Sequence, residues 1–230
     1  MLKMENVNSY YGRSKALQDF SLEVAAETIF AVLGRNGVGK TTLLRTILGL
    51  TDLSTGKIVF AGNDISELAT HERARSGIAY VPQGRMIIPD FSVKENIVMG
   101  SFASDGNGKI PELVPELFPY LMDNLDRAGG LLSGGQQQQL AIARALAAKP
   151  KILLMDEPTE GIQPNIVEQI EASILAMNSE LKITIILVEQ NVQFAKRAAH
   201  DFAMIEHGTV VANGNISNLS DALIYKHMAI

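Results

Sequence analysis

The chain has 230 residues, 47% hydrophobic and 20% charged, enough for one domain with a sizeable core, with or without a small subdomain. Its net charge of −5 offers no general basic footprint for nucleic acid, and the absence of cysteine excludes disulfides and thiolate metal sites. No apolar run approaches the ~18 residues that cross a bilayer, and the opening MLKMENVNSYYG lacks a signal-peptide core, so a cytoplasmic protein that meets any membrane through a partner is expected.

In chain order, LKMENVN and FSLEV read as amphipathic strands. TIFAVL (Thr28–Leu33) is continuously apolar, as a strand buried on both faces requires, and a helical pattern follows from Lys40. KIVFAG is a third amphipathic strand. From about Gly84 to Gly130 the character changes: Pro89, Pro111, Pro115, Pro119 and the loop SDGNGK point to a mainly helical insertion, which with the helix after it reaches about residue 145. ILLM (Ile152–Met155) and ITIILV (Ile183–Val188) are two more buried strands, each followed by a helical segment, from Asn165 and from Asn191. FAMIEHG and TVVANG close as a hairpin. This alternation predicts an α/β fold with a parallel sheet covered by helices. The amphipathic strands, the hairpin included, are expected to form a smaller antiparallel layer.

GRNGVGKTT, from Gly34 to Thr42, fits G-x-x-x-x-G-K-[ST] and stands between a buried strand and a helix. In such a loop the backbone N–H groups of Gly34, Arg35, Asn36, Gly37, Val38 and Gly39 turn toward phosphate oxygens. Lys40 brings charge to the β- and γ-phosphates, Thr41 offers a hydroxyl to Mg²⁺, and Thr42 completes the nucleotide-binding run. Asp156 ends a buried strand, where open α/β sheets bind ligands, and would reach Mg²⁺ directly or through water. Glu157, one residue on, is placed to orient or deprotonate an attacking water. No N-K-x-D guanine motif is present, and Tyr10 or Tyr11 offers a ring for adenine, against the plainer role of packing beside a turn.

LLSGGQQQQLAIARALAAKP (Leu131–Pro150) raises a separate question, because four glutamines in a row suggest low complexity. Yet Leu140, Ala143, Leu146 and Ala147 recur at helical spacing and Pro150 stops the run. Ser133 then reads as a helix cap, and Gly134 and Gly135 let an anion approach the exposed N–H groups. One phosphate loop already holds one triphosphate. This second helix end therefore serves another ligand or the nucleotide of another chain.

At this point the residues resemble a known family. LSGGQ (Leu132–Gln136) between a phosphate loop and DEPT is similar to the signature of the ABC transporter ATPases, and the resemblance covers essentially the whole chain. It implies a single nucleotide-binding domain over residues 1–230, built as a P-loop NTPase with a parallel-sheet core, a small antiparallel layer and a helical subdomain. ATP and Mg²⁺ are the implied ligands, with Thr41, Gln83 and Asp156 toward the metal. Glu157, Gln83 and Gln190 take part in hydrolysis, and Tyr11 stacks on adenine. Ser133, Gly134, Gly135 and Gln136 would meet the γ-phosphate held by a second ATPase subunit facing head to tail. The remaining glutamines are expected on the helix surface.

Further partners implied are transmembrane permease subunits, met by the segment from Gly84 to about Met99, and indirectly a solute-binding protein, which places the chain on the inner face of the cell membrane. Two departures stand out. Gln190 occupies the usual histidine place and Gln163 the usual aspartate place after DEPT. They imply a slower or asymmetric site, in a heterodimer whose other subunit carries the histidine, with a homodimer open to the isolated chain. VEQN and the short C-terminus resemble the branched-chain amino acid and amide importers. Four stretches, LGRNGVGKTTLL, IAYVPQGR, LSGGQQQQLAIARALA and DEPTEGIQP, together with the terminal MAI, look most like the ATP-binding subunit for urea; the alternative is branched-chain amino acids. Rival classes are a small-molecule P-loop kinase, which has no use for Leu132–Gln136, a non-transport ABC protein, and an inert nucleotide-binding regulator.

Overall fold

The computed structural model describes residues 1–104 and 108–228, so part of the SDGNGK loop and the last two residues of MAI lie outside the described residues. The strands are β1 (Leu2–Tyr11), β2 (Ser14–Val24), β3 (Ile29–Leu33), β4 (Leu53–Phe60), β5 (Asn63–Asp64), β6 (Ile78–Val81), β7 (Ile152–Asp156), β8 (Thr184–Glu189), β9 (Asp201–Glu206) and β10 (Thr209–Asn215). The helices are α1 (Lys40–Leu48), α2 (Thr70–Arg75), α3 (Val93–Gly100), α4 (Val114–Leu117), α5 (Pro119–Met122), α6 (Gly134–Leu146), α7 (Pro164–Leu181), α8 (Val192–Ala198) and α9 (Asp221–Met228).

Six strands form the core sheet in the order β10-β9-β3-β8-β7-β6, and β2-β1-β4-β5 form a second, antiparallel sheet. In the core sheet β3 runs parallel to both β8 and β9, and β7 parallel to β6 and β8. Every residue of β3, β7 and β8 is buried, which explains the continuous apolar runs. Alternate residues serve two cores. Ala31, Leu153 and Ile185 face one, with α6, α7 and α8, while Val32, Leu154 and Ile186 face the other, with α1 and the antiparallel sheet.

Two features depart from the sequence expectation. The hairpin β9–β10 belongs to the core sheet rather than the small layer. Phe202 to Ile205 are all buried, and β9 pairs with β3 in the register Phe30↔Asp201 to Leu33↔Met204. A hairpin signal fixes its own turn but not the sheet edge it joins. β6 had no strong strand signal, being four residues long, yet it ends inside the YVPQGR segment, at Val81, and so sets the position of Gln83.

The segment from Gly84 to α6 carries the short helices α3, α4 and α5, with α3 packed on α6. Its surface exposes Met86 (64%), Phe102 (65%) and Leu131 (68%), an unusual density of large apolar side chains. Among the described residues no helix is long and apolar enough to cross a membrane.

Candidate nucleotide site

The loop after β3 turns directly into α1. Gly39 caps that helix in the left-handed region (φ 110°), and no side chain bonds its free N–H groups. A β-carbon at Gly39 would stand 3.2 Å from the Ala16 carbonyl, so β2 leans on the loop and only glycine keeps both close. The loop lines a cleft of about 460 Å³. Asn36, Gly37, Val38, Gly39, Lys40, Thr41, Thr42, Gln83 and Glu157 all border it.

Lys40 is buried (4% exposed) and folded into its own loop. Its Nζ donates to the Gly34 and Arg35 carbonyls at 2.9 and 3.0 Å and pairs with Glu157 Oε1 at 3.1 Å. An ammonium among acceptors at the mouth of a ring of N–H donors is a charge poised for phosphate. Gln190 Nε2 donates to both Glu157 oxygens, at 3.0 and 3.1 Å, and to Asn36 Oδ1. Glu157 itself stands in the left-handed region (φ 47°), a strained placement for a non-glycine residue.

Behind this group Thr41 Oγ1 donates to Asp156 Oδ1 at 3.2 Å, and the Tyr80 hydroxyl donates to Asp156 Oδ2 at 3.2 Å. Burial pushes the Asp156 carboxyl above its usual range, against the bonds from Thr41 and Tyr80, which favour the charged form. Burial first, then the charge of Asp156, raises the Tyr80 phenol. No cluster of three or more His, Cys, Asp or Glu suited to a metal occurs among the described residues. A hydroxyl and a buried carboxylate at the foot of a phosphate loop form an oxygen set that fits Mg²⁺, which keeps water and takes substrate phosphates as its remaining ligands.

Gln83 also borders the cleft, with its Nε2 donating to Glu160 Oε2 at 2.8 Å. The backbone just after it is left-handed at Gly84, Arg85 and Met86. Arg144 of α6 holds that segment by donating to the Arg85 and Met86 carbonyls at 3.1 and 2.8 Å. Tyr11 ends β1 opposite Ser14 and does not line the cleft, whereas Ser14, Lys15 and Ala16 do. Sequence reasoning missed these three residues, together with Gln18, His207 and Gly208, because they come from β2 and from the β9–β10 turn, which meet the loop only in the folded chain.

Ser133, Gly134, Gly135 and Gln136 lie away from this cleft, at the start of α6. Ser133 Oγ accepts from the Gln136 N–H at 3.4 Å while Gln136 Oε1 accepts from the Ser133 N–H at 2.9 Å, a reciprocal capping box. A β-carbon at Gly135 would meet Ile166 Cγ2 at 2.6 Å, so the second glycine seats α7 as well as leaving a helix end open.

The expectation that the other glutamines are surface residues is overturned for two of the three, Gln137 being half-buried. Gln138 and Gln139 are 4% and 5% exposed, because α6 is packed on several sides by α3, β6 and α7. Gln139 Nε2 donates to Gln169 Oε1 at 2.9 Å, Gln137 Nε2 donates to the Leu132 carbonyl at 3.2 Å, and Gln138 Nε2 has no hydrogen-bond partner among the described residues. Gln163 precedes α7 but its side chain makes no capping bond.

Residues 17–160, more than half of the chain, match the sequence model of the ABC transporter family. A Pseudomonas aeruginosa protein, the high-affinity branched-chain amino acid transport ATP-binding protein BraG, is 40% identical over 213 residues, 92% of this chain and 91% of that protein. An Archaeoglobus fulgidus protein named "Probable branched-chain amino acid transport ATP-binding protein LivF" is 36% identical over 221 residues, 95% of this chain and 94% of its own. A crystal structure of an ATP-binding cassette of an ABC transporter, in its ADP conformation, superposes with a TM-score of 0.82 at 28% identity, covering 98% of this chain and 97% of that one.

Proposed function

The chain belongs to the ABC transporter family as one of its ATP-binding subunits, and from that premise we propose that it energises uptake of a small nitrogenous solute through partner permease subunits. It is an ATPase that drives transport, and it uses ATP with Mg²⁺. The observation that carries the reading of the site is the meeting of Lys40, Glu157 and Gln190 at the mouth of the phosphate loop, with Thr41 and Asp156 behind them.

In this reading Lys40 leaves the Gly34 and Arg35 carbonyls for the β- and γ-phosphates. Glu157, released from Lys40, orients the attacking water and takes its proton, and Gln190 donates toward the γ-phosphate and the carboxylate. Mg²⁺, when bound, neutralises charge on the phosphate oxygens; Thr41 and Asp156 would hold it, with Gln83 bordering the same cleft. Tyr11 is the aromatic residue proposed for adenine. The capped end at Ser133 to Gln136 would close on the nucleotide of a second ATPase subunit. ATP can drive that closure only through its greater affinity for the closed pair, and the signature contact, made on closure alone, supplies the difference. The exposed Met86, Phe91, Met99 and Phe102 support a permease-facing role for the insertion.

The direct test is Glu157→Gln, expected to abolish hydrolysis with ATP binding kept; hydrolysis at the parental rate would sink the catalytic reading. Gln190 suits a heterodimer with a histidine-bearing partner, since glutamine donates a hydrogen bond but carries no imidazolium charge. Gln190→His is then expected to keep or raise the ATPase rate of the assembled transporter, and a large drop counts against that pairing.

The two branched-chain relatives favour branched-chain amino acids as the solute. Urea is the second reading, carried by the four stretches that include LSGGQQQQLAIARALA and DEPTEGIQP. No residue of an ATPase subunit touches the solute, so the deciding experiment is in cells. Uptake of labelled leucine and labelled urea is compared in cells whose only copy of this chain carries Lys40→Ala. Loss of leucine uptake alone assigns the amino acids, loss of urea uptake alone assigns urea, and retention of both rejects this solute group.

A further inference from the structure

Glu189 is a buried carboxylate to which the reaction above gives no task. It ends β8, 3% exposed, immediately before Gln190. Its Oε1 accepts from the Thr159 hydroxyl at 2.8 Å, and its Oε2 accepts from the backbone N–H groups of Gln190 at 3.1 Å and Asn191 at 3.2 Å. These three partners are all donors, so the surroundings suit an ionised acceptor. A carboxylate is expensive to bury, and burial does raise this one above its usual range, partly offset by the Thr159, Asn191 and Gln190 donors. A threonine or valine would fill a strand end at far lower cost.

The location explains the expense. Thr159 lies two residues after Glu157, on the loop that leaves β7, and Gln190 opens the loop that leaves β8. Glu157 and Gln190 meet above this point, where Gln190 Nε2 donates to both Glu157 oxygens. One loop therefore carries Glu157, the other carries its amide partner, and Glu189 is bonded to both just beneath.

We propose that Glu189 is a positioning residue for ATP hydrolysis, tying the Glu157 loop to the Gln190 loop through Thr159 so that the amide and the carboxylate stay in register. The proposal rests on the catalytic reading of Glu157 given above. Neither Thr159 nor Glu189 lines the cleft, so cutting the link changes the rate of the chemical step and leaves ATP binding alone. Misplacing a reacting group by about 1 Å can cost a hundredfold in rate, so a lost tether is felt even when the fold is kept.

The test uses the full chain in the assembled transporter. Parent, Thr159→Val, Glu189→Gln and the double variant are compared, with Glu157→Gln as the reference for the chemical step. Single-turnover hydrolysis and equilibrium binding of MgATP are read separately. Each single variant is expected to lose about tenfold or more in rate while binding MgATP within about twofold of the parent. The double variant should fall no lower than the slower single one, because either change cuts the same link.

Multiplicative losses in the double variant, an unchanged rate in Thr159→Val, or ATP binding that falls as far as the rate would each overturn the proposal. Thr159→Val is nearly isosteric and carries the test by itself if Glu189→Gln fails to fold. Glu157→Gln at the parental rate would bring down the catalytic reading and this inference together. An inactive Glu157→Gln beside parental Thr159→Val and Glu189→Gln would bring down this inference alone.

Discussion

The helix ends at Lys40 and at Gly134 both present backbone N–H groups suited to an anion, but they are finished differently. The first is capped by a glycine with no side-chain bond, and a buried lysine waits beside it on its own loop carbonyls. The second is closed on itself by the Ser133–Gln136 box and backed tightly by Ile166. An end that meets its ligand within its own chain gains from standing open, with its countercharge stored nearby. On the function proposed above, the second end takes its anion from another subunit and must stay ordered alone, and the box satisfies donors there until then.

Substitutions can break this contrast, and the largest effect is expected at the open end. Lys40→Ala removes the stored charge and should cut hydrolysis by about a hundredfold or more, with weakened MgATP binding in an equilibrium titration of the isolated chain. Parental binding and hydrolysis in that variant would mean the open end is not the primary nucleotide site.

At the capped end the first effect is on packing. Gly135→Ala drives a methyl group into Ile166 and should cost about 1–3 kcal/mol in denaturant unfolding, with partial rescue by Ile166→Ala. A full-strength Gly135→Ala protein would show that α7 gives way easily and that the glycine serves only a ligand. Ser133→Ala should cost about 1 kcal/mol of stability and leave nucleotide binding by the isolated chain unchanged, while lowering hydrolysis in the assembled pair. Weakened binding by the isolated chain would erase the distinction between the two ends. A change of similar size and opposite sign is expected deeper in the same helix. Gln138→Met removes a buried amide nitrogen that has no hydrogen-bond partner among the described residues and should raise stability by about 1 kcal/mol in the same unfolding experiment. A loss instead would mean that the amide is satisfied in solution.

Local chemistry was legible from the chain alone. A glycine-lysine-threonine run between a buried strand and a helix, a DE pair ending another such strand, and a serine cap ahead of a helical repeat each depend on neighbours a few residues apart. Their elements appear where the patterns put them: β3 to α1, β7, and α6. Burial was legible for strands covered on both faces, because apolar continuity over five or six residues leaves few other conformations.

What tertiary structure alone decided lies between segments distant in sequence. The β9–β10 hairpin joins the core sheet beside β3, since strand patterning states which face is buried but not which edge is chosen. The glutamine tract looks like helix surface in the sequence and is partly core in the fold, because three elements crowd α6 and an amide can be buried when another amide, Gln169, meets it. The bonds among Gln190, Glu157 and Asn36, and the tie from Glu189 to Thr159, bring together residues 30 or more positions apart. Sequence determined which groups this protein has for phosphate, metal and water. Only the stacking of β3, β7 and β8 side by side, driven by burial of their apolar faces, decided that those groups meet at one end of the sheet.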